Sequence, residues 1–148
     1  MRAVVQRVSR AGVTIGGEEA GRISRGVLVL LGVEDTDGLA DVEYICDKIL
    51  GLRIFEDEDG KMNLDILQTG GQVLLISQFT LYGDARHGRR PSFIKAARPE
   101  TAIPLYEAAI ERLSQKLHVE TGRFGAEMQV DLVNDGPVTI LLESKKLF

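Results

Sequence analysis

Two stretches of the chain, 39–50 and 99–121, contain no glycine and carry apolar residues at three- and four-residue spacing. In the first, Leu39, Val42, Ile45, Cys46, Ile49 and Leu50 form one stripe, the signature of a helix with one buried face. Thr36 and Asp37 are expected to cap its start, and Gly51 to stop it. In the second, Ile103, Tyr106, Ile110, Leu113 and Leu117 make the stripe. A helix is therefore expected from Pro99 to about Leu117, becoming regular near Pro104, since proline suits only a first turn. Elsewhere the pattern is that of strands. Ala3–Val8 and Gly12–Ile15 are short β-rich runs followed by a Gly16-Gly17 turn. Gly26–Val33 and Gln72–Ser77 are apolar on both faces, as central strands are. Glu127–Val133 alternates, and Val138–Leu142 follows after only Asn134–Pro137, which reads as a hairpin-like end. The order implies an α/β fold: a single domain over 1–148, with mixed β-sheets and two helices packed on them.

The chain has 148 residues, 44% hydrophobic and 27% charged, with one cysteine. A chain of that length buries roughly 68–70% of its unfolded surface, so it can hold a core without disulfides or metals. No intrachain disulfide is possible, and the longest apolar run is far short of the roughly 20 residues a membrane span needs. Arginines at 2, 7 and 10 interrupt any signal-peptide core. A soluble cytoplasmic protein is expected. Net charge is −4, but Arg86, Arg89, Arg90, Lys95 and Arg98 put +5 between residues 85 and 98, leaving −9 for the rest. Such a segment is either a solvated loop or a local anion site.

Most familiar chemical signatures are absent. No G-x-S-x-G, G-x-G-x-x-G or G-x4-G-K-[ST] occurs. Glu56–Gly60 is an acidic turn without calcium-loop spacing. Only His87 and His118 are present, and no zinc-type spacing; no metal and no cofactor is expected. Cys46 lies on the apolar stripe, where a thiol is inert. Two polar segments remain, each at the end of an apolar run: Ser77-Gln78-Phe79-Thr80-Leu81 and Asn134-Asp135-Gly136-Pro137-Val138-Thr139. Each is read either as an ordinary strand end or turn, or as a set of polar groups aimed into a cleft. By spacing alone, Gly136-Pro137 would be a trans bond.

Taken together, S-Q-F-T-L at 77–81 and N-D-G-P-V-T at 134–139 are specific, and with them the chain resembles the D-aminoacyl-tRNA deacylases. The resemblance extends to M-R-A-V-V-Q-R-V at the start, G-V-L-V-L-L-G-V at 26–33, R-I-F-x(4)-G-K-M-N at 53–63, R-R-P-S-F at 89–93 and T-G-R-F at 121–124. It implies a three-layer α/β homodimer that hydrolyses the ester of D-aminoacyl-tRNA, and of glycine misloaded on alanine tRNA. It implies a cis Gly136-Pro137 bond that reaches into the partner's pocket and excludes L side chains, with Ser77, Gln78, Phe79 and Thr80 as the catalytic segment. Asn134 and Arg7 are expected to support the Gly-Pro segment, and Arg86, Arg89, Arg90, Lys95 and Arg98 to meet tRNA phosphates.

Two chemical routes stay open at this point. Thr80 could be a nucleophile, although no base is evident nearby in sequence. Alternatively, water attacks with help from the ribose 2′-hydroxyl, while backbone N–H groups near Phe79-Thr80 hold the oxyanion. The rival readings are a non-catalytic RNA-binding module, a deacylase for L-alanine on the wrong tRNA with a trans Gly-Pro, and a serine hydrolase using Ser77 and His87.

Overall fold

β1 runs unbroken from Arg2 to Ile15 in the computed structural model, which describes residues 1–148. The two short runs read from the sequence are thus one strand. Its length organises the molecule. Its second half pairs with β2 (Glu18–Ile23) across a turn in which Gly16 and Gly17 both have positive φ, the conformation a two-residue hairpin needs. Its first half pairs with β3 (Gly26–Gly32) on the same edge. Its other edge is covered end to end by β8 (Gln129–Glu143). β3 continues in parallel to β6 (Gln72–Ser77), and β6 to β7 (Val119–Thr121). β4 (Phe55–Glu56) and β5 (Met62–Leu64) form a separate small ribbon. The sheet is mixed, as expected.

The hairpin expected around 134–137 is not present. Glu127–Val133 and Val138–Leu142 belong to the same strand, β8, because both halves find their partner on the one long β1. Asn134 to Val138 form a bulge in that strand: Gln6 pairs with Thr139 and Val8 with Asn134, so three extra residues are accommodated on β8.

One face of the sheet packs against helices α1 (Leu39–Gly51) and α3 (Pro99–Ser114). Ala3, Val5, Val27, Val29, Leu31, Val73 and Leu75 meet Val42, Ile45, Cys46, Ala109 and Leu113 there in one buried cluster. Tyr106 Oη donates to the Leu75 carbonyl at 2.8 Å, tying α3 to β6. A short helix, α2 (Ile66–Thr69), is capped by Asp65. The cap of α1 is Gly38 rather than Thr36-Asp37, and Asp41 accepts the Gly38 N–H at 2.8 Å. Asp37 is occupied elsewhere, accepting from the terminal amine of Met1 and from Glu34 N–H, both at 2.7 Å. Helix α3 starts at Pro99 and ends at Ser114, with Pro104 inside it. Pro104 and Glu100 are both exposed, so water can satisfy the carbonyl that the proline leaves without a donor.

The second sheet face is concave. Val8, Ala11, Val13, Ile23, Leu28, Leu74 and Ile76 are buried within it. Strands β6 and β8 are not ladder neighbours, yet Ile76 of one and Met128 and Val130 beside and on the other line a single cavity. The sheet therefore curls towards closure.

Candidate active site

The cavity at the mouth of this curl has a volume of about 260 Å³. Strand β6 runs into it from below. Past Ser77, Gln78 N–H still donates to Leu31 O at 2.8 Å, and the chain then winds into a 3₁₀ turn, Phe79–Tyr82. Ser77, Gln78, Phe79 and Thr80 form one wall, so the four residues of the first polar segment lie together. Phe124, Gly125, Ala126, Met128 and Val130 form the other. The four residues Ser77–Thr80 were legible in the sequence. Met128 and Val130 were not, because only the curl of the sheet brings β8 opposite β6. T-G-R-F was noted as a motif without a role; its Phe124 is a wall residue.

The lining contains no acid, base, imidazole or thiol. Thr80 Oγ1 accepts from Gln78 Nε2 at 2.7 Å, and no carboxylate or histidine stands beside it. A 3₁₀ turn leaves its first N–H groups without acceptors inside the turn, and no side chain caps this one. The chemistry on offer is thus backbone donation next to a hydroxyl and an amide. Phe79 stands exposed and edge-on to Phe93, with ring centroids 5.2 Å apart. Burial keeps two other groups protonated. The Cys46 thiol is pushed up to about 12, and the Tyr106 phenol likewise.

The second polar segment lies elsewhere. Neither Gly136 nor Pro137 lines the cavity; both are exposed on the β8 bulge, and the bond between them is cis. The bulge is locked from inside. Arg7, only 6% exposed, donates from Nε to Asp135 O and from Nη1 to Ile54 O, each at 2.7 Å. Asn134 closes the loop on itself, accepting from Val138 N–H at 2.7 Å and donating to Val138 O at 3.2 Å. A Cβ on Gly136 would lie 2.7 Å from Val138 N and Cγ2, so no side chain fits there without movement.

The basic residues divide into two sets. Asp84, just outside the window seen in sequence, holds Arg86 through both its backbone N–H and its guanidinium, at 2.6–3.0 Å. This contact keeps the Asp84 carboxyl well below the ordinary carboxylate range. Backbone bonds between Asp84 and Ser92 root the loop, leaving His87, Arg89 and Arg90 exposed at its tip. Lys95 and Arg98 are exposed on the segment that follows.

The family model described as D-Tyr-tRNA(Tyr) deacylase matches residues 4–143. The chain belongs to the D-Tyr-tRNA(Tyr) deacylase family. It is thereby a hydrolase of the aminoacyl-tRNA ester class. Curated relatives named D-aminoacyl-tRNA deacylase include one from Symbiobacterium thermophilum, 62% identical over all of this chain and 99% of the relative. Another, from a Geobacillus species, is 57% identical over 99% of this chain and 97% of the relative. Among solved structures, one titled c-Myc DNA Unwinding Element Binding Protein superposes with a TM-score of 0.92 at 44% identity, covering 97% of this chain and 98% of that one. A second, titled as a probable eukaryotic D-amino acid tRNA deacylase, shares the fold with a TM-score of 0.79 at 16% identity, covering 95% and 97%. In this deacylase chain the cavity wall and the Gly-Pro bulge are thus two separate surfaces. No helix is long and apolar enough to cross a membrane.

Proposed function

We propose that two copies of this chain assemble so that the Gly136-Pro137 bulge of each enters the cavity of the other, and that the completed site hydrolyses the ester of a D-amino acid on the terminal adenosine of tRNA. The observation that carries this reading is the mismatch between the two surfaces. The cavity holds backbone donors and no chiral wall, while the locked bulge lies outside its own cavity with Gly136 and Pro137 exposed. A path between subunits is supported by the ladder register. Leu141, Val4, Leu30 and Ile76 stand side by side across β8, β1, β3 and β6. Leu141 is 57% exposed while Ile76 is buried in the cavity floor. This apolar row runs from the cavity out to bare surface, where a second copy would cover it.

In the completed site the bulge carbonyls accept from the substrate α-amino group and occupy the space an L side chain would need. Rejection then rests on a fixed obstacle, and a preference of 10³ for D requires about 4 kcal/mol. The hydrogen bonds from Arg7 and Asn134 supply the required rigidity. Glycine lacks a side chain to be rejected, so Gly-tRNA-Ala is a second substrate. Since no base lines the cavity, water attacks with assistance from the ribose 2′-hydroxyl, and the N–H groups at Phe79-Thr80 receive the developing oxyanion. Arg89, Arg90, Lys95 and Arg98 meet phosphates of the acceptor end, whereas Arg86 is committed to Asp84. The setting is cytoplasmic, with one catalytic domain over 1–148.

The test is hydrolysis of matched D-Tyr-tRNA and L-Tyr-tRNA with EDTA present. Loss of the D ester alone is expected. Cleavage of both would mean that the bulge does not exclude L side chains, and cleavage of neither would favour a binding module.

A further inference from the structure

Phe79 and Thr80 are exposed, and the Phe79 ring meets Phe93, itself 38% exposed, edge-on. The start of the wall is held to the sheet by the Gln78 N–H bond to Leu31 O, but Phe79 and Thr80 bury no side chain of their own. Their position depends also on the two residues that follow, Leu81 and Tyr82, and on what lies beneath them.

What lies beneath is one row of the sheet. Ladder register sets Glu143, Arg2 and Gly32 side by side on β8, β1 and β3. Gly32 is the seat. A Cβ there would stand 3.0 Å from Leu81 Cβ, 3.1 Å from Gln78 O and 3.3 Å from Tyr82 Cδ2, so the 3₁₀ turn rests directly on the backbone. Arg2 is the clamp. Its Nη1 donates to Leu81 O at 3.0 Å, and its guanidinium carbon lies 4.5 Å from the centre of the Tyr82 ring. Glu143, only 3% exposed, forms an ion pair with Arg2 Nε at 3.5 Å, without a hydrogen bond to it. Tyr82 is itself 3% exposed. A planar fork can donate along its edge and stack through its face at once, which an ammonium cannot do. Neither Arg2 nor Gly32 lines the cavity.

We infer that Arg2 and Gly32 are positioning residues for the deacylation step: from the sheet below, they set where the Gln78–Thr80 wall meets the ester. The inference rests on the proposal that this cavity holds the substrate. It places part of the rate in two residues that never touch the reacting atoms, because a misplacement of about 1 Å can cost ~10²-fold.

The experiment measures single-turnover rate at saturating enzyme, KM and thermal midpoint on D-Tyr-tRNA. The variants are Gly32→Ala, Arg2→Lys, their combination, and Ala126→Trp, which fills the cavity from its other wall. Each positioning variant should slow the chemical step ~10- to 100-fold with KM within about twofold, since no substrate contact is removed. The double variant should lose less than the product of the two single losses, because both act through one turn. Should Gly32→Ala fail to fold, Arg2→Lys alone carries the rate and KM test. Unchanged rates with only a lowered midpoint would overturn the inference and leave a purely structural role. A raised KM with an unchanged rate would also overturn it, making Arg2 an RNA ligand. Full activity in Ala126→Trp would instead locate the reaction outside this cavity, and would sink the site reading itself.

Discussion

The cavity wall at 77–80 and the bulge at 134–138 are both polar breaks in β-strands, yet they are built in opposite ways. The wall is a strand end that leaves the sheet and presents unpaired N–H groups over an apolar floor. It has exposed side chains and is held from below. The bulge stays within its strand and is pinned at both ends from inside, Asp135 O by Arg7 and the Val138 N–H and carbonyl by Asn134. An element that must receive developing charge needs vacant donors. An element that must exclude a shape needs to be immovable. The two requirements are difficult to meet in one loop, and in the proposed site they are divided between two.

The largest expected effect comes from breaking the bulge at its tightest point. Gly136→Ala forces a Cβ to within 2.7 Å of Val138 N and Cγ2, so the bulge must shift. Deacylation of D-Tyr-tRNA should fall ~10²-fold or more, with the isolated fold little affected because the residue is exposed. Mixing Gly136→Ala subunits with Ala126→Trp subunits should restore activity if the sites are completed across copies, since each mixed pair then contains one sound cavity facing one sound bulge. A mixture as inactive as its components would place the bulge's role within one chain.

Next in size is the loss of the internal lock. Arg7→Gln removes a buried guanidinium that two carbonyls, Asp135 O and Ile54 O, rely on. Hydrogen bonds to charged groups contribute ~1.5–3 kcal/mol each, and buried orphaned acceptors add their own cost. A destabilisation of about 3 kcal/mol in urea unfolding is expected, together with poorer D-over-L selectivity at temperatures where the variant is still folded. Retained selectivity would mean that Asn134 alone suffices to hold the bulge.

A smaller effect is expected on the wall side. Thr80→Ala removes the hydroxyl that accepts from Gln78 but leaves every backbone N–H in place. Activity should stay within about tenfold of the parent, in line with the modest worth of one neutral hydrogen bond. Trapping an acyl group on Thr80 would reverse that view of the wall and make it a nucleophile's site.

How far each region was legible in the sequence follows from the same difference. Helices α1 and α3 and central strands β3 and β6 declare themselves through periodicity, because each packs one coherent apolar surface. β2 reads Glu18-Glu19-Ala20-Gly21-Arg22-Ile23, too polar to announce a strand; it exists because β1 offers it an edge. The spacing around Asn134–Pro137 pointed to a hairpin, since nothing local reveals that β1 is long enough to pair with both halves. The wall residues and the Gly-Pro bulge stood out locally as polar segments at the ends of apolar runs, and only the resemblance gave the pair a role. Arg2, Gly32, Met128 and Val130 lie in segments legible as strands or motifs, but nothing local assigns them a part in the site. Their roles arise from register and curvature, properties of the sheet rather than of any segment.

The smallest effect should come from removing side-chain chemistry that the wall does not use. His87 is exposed on the basic loop, and the cavity lining includes no imidazole or thiol. His87→Ala should therefore leave both the rate and its pH profile as they are in the parent chain. The Cys46 thiol, whose pKa burial raises to about 12, is protonated throughout the working range and gains its reactive thiolate only as pH rises past that value. Iodoacetamide at pH 8 should accordingly leave the folded protein unmodified and active, and should label Cys46 only after denaturation. A rate that fell with either treatment would put a titrating group back into the reaction. The wall would then no longer be a site of backbone donors alone, and the division of labour between wall and bulge would have to be redrawn around that group.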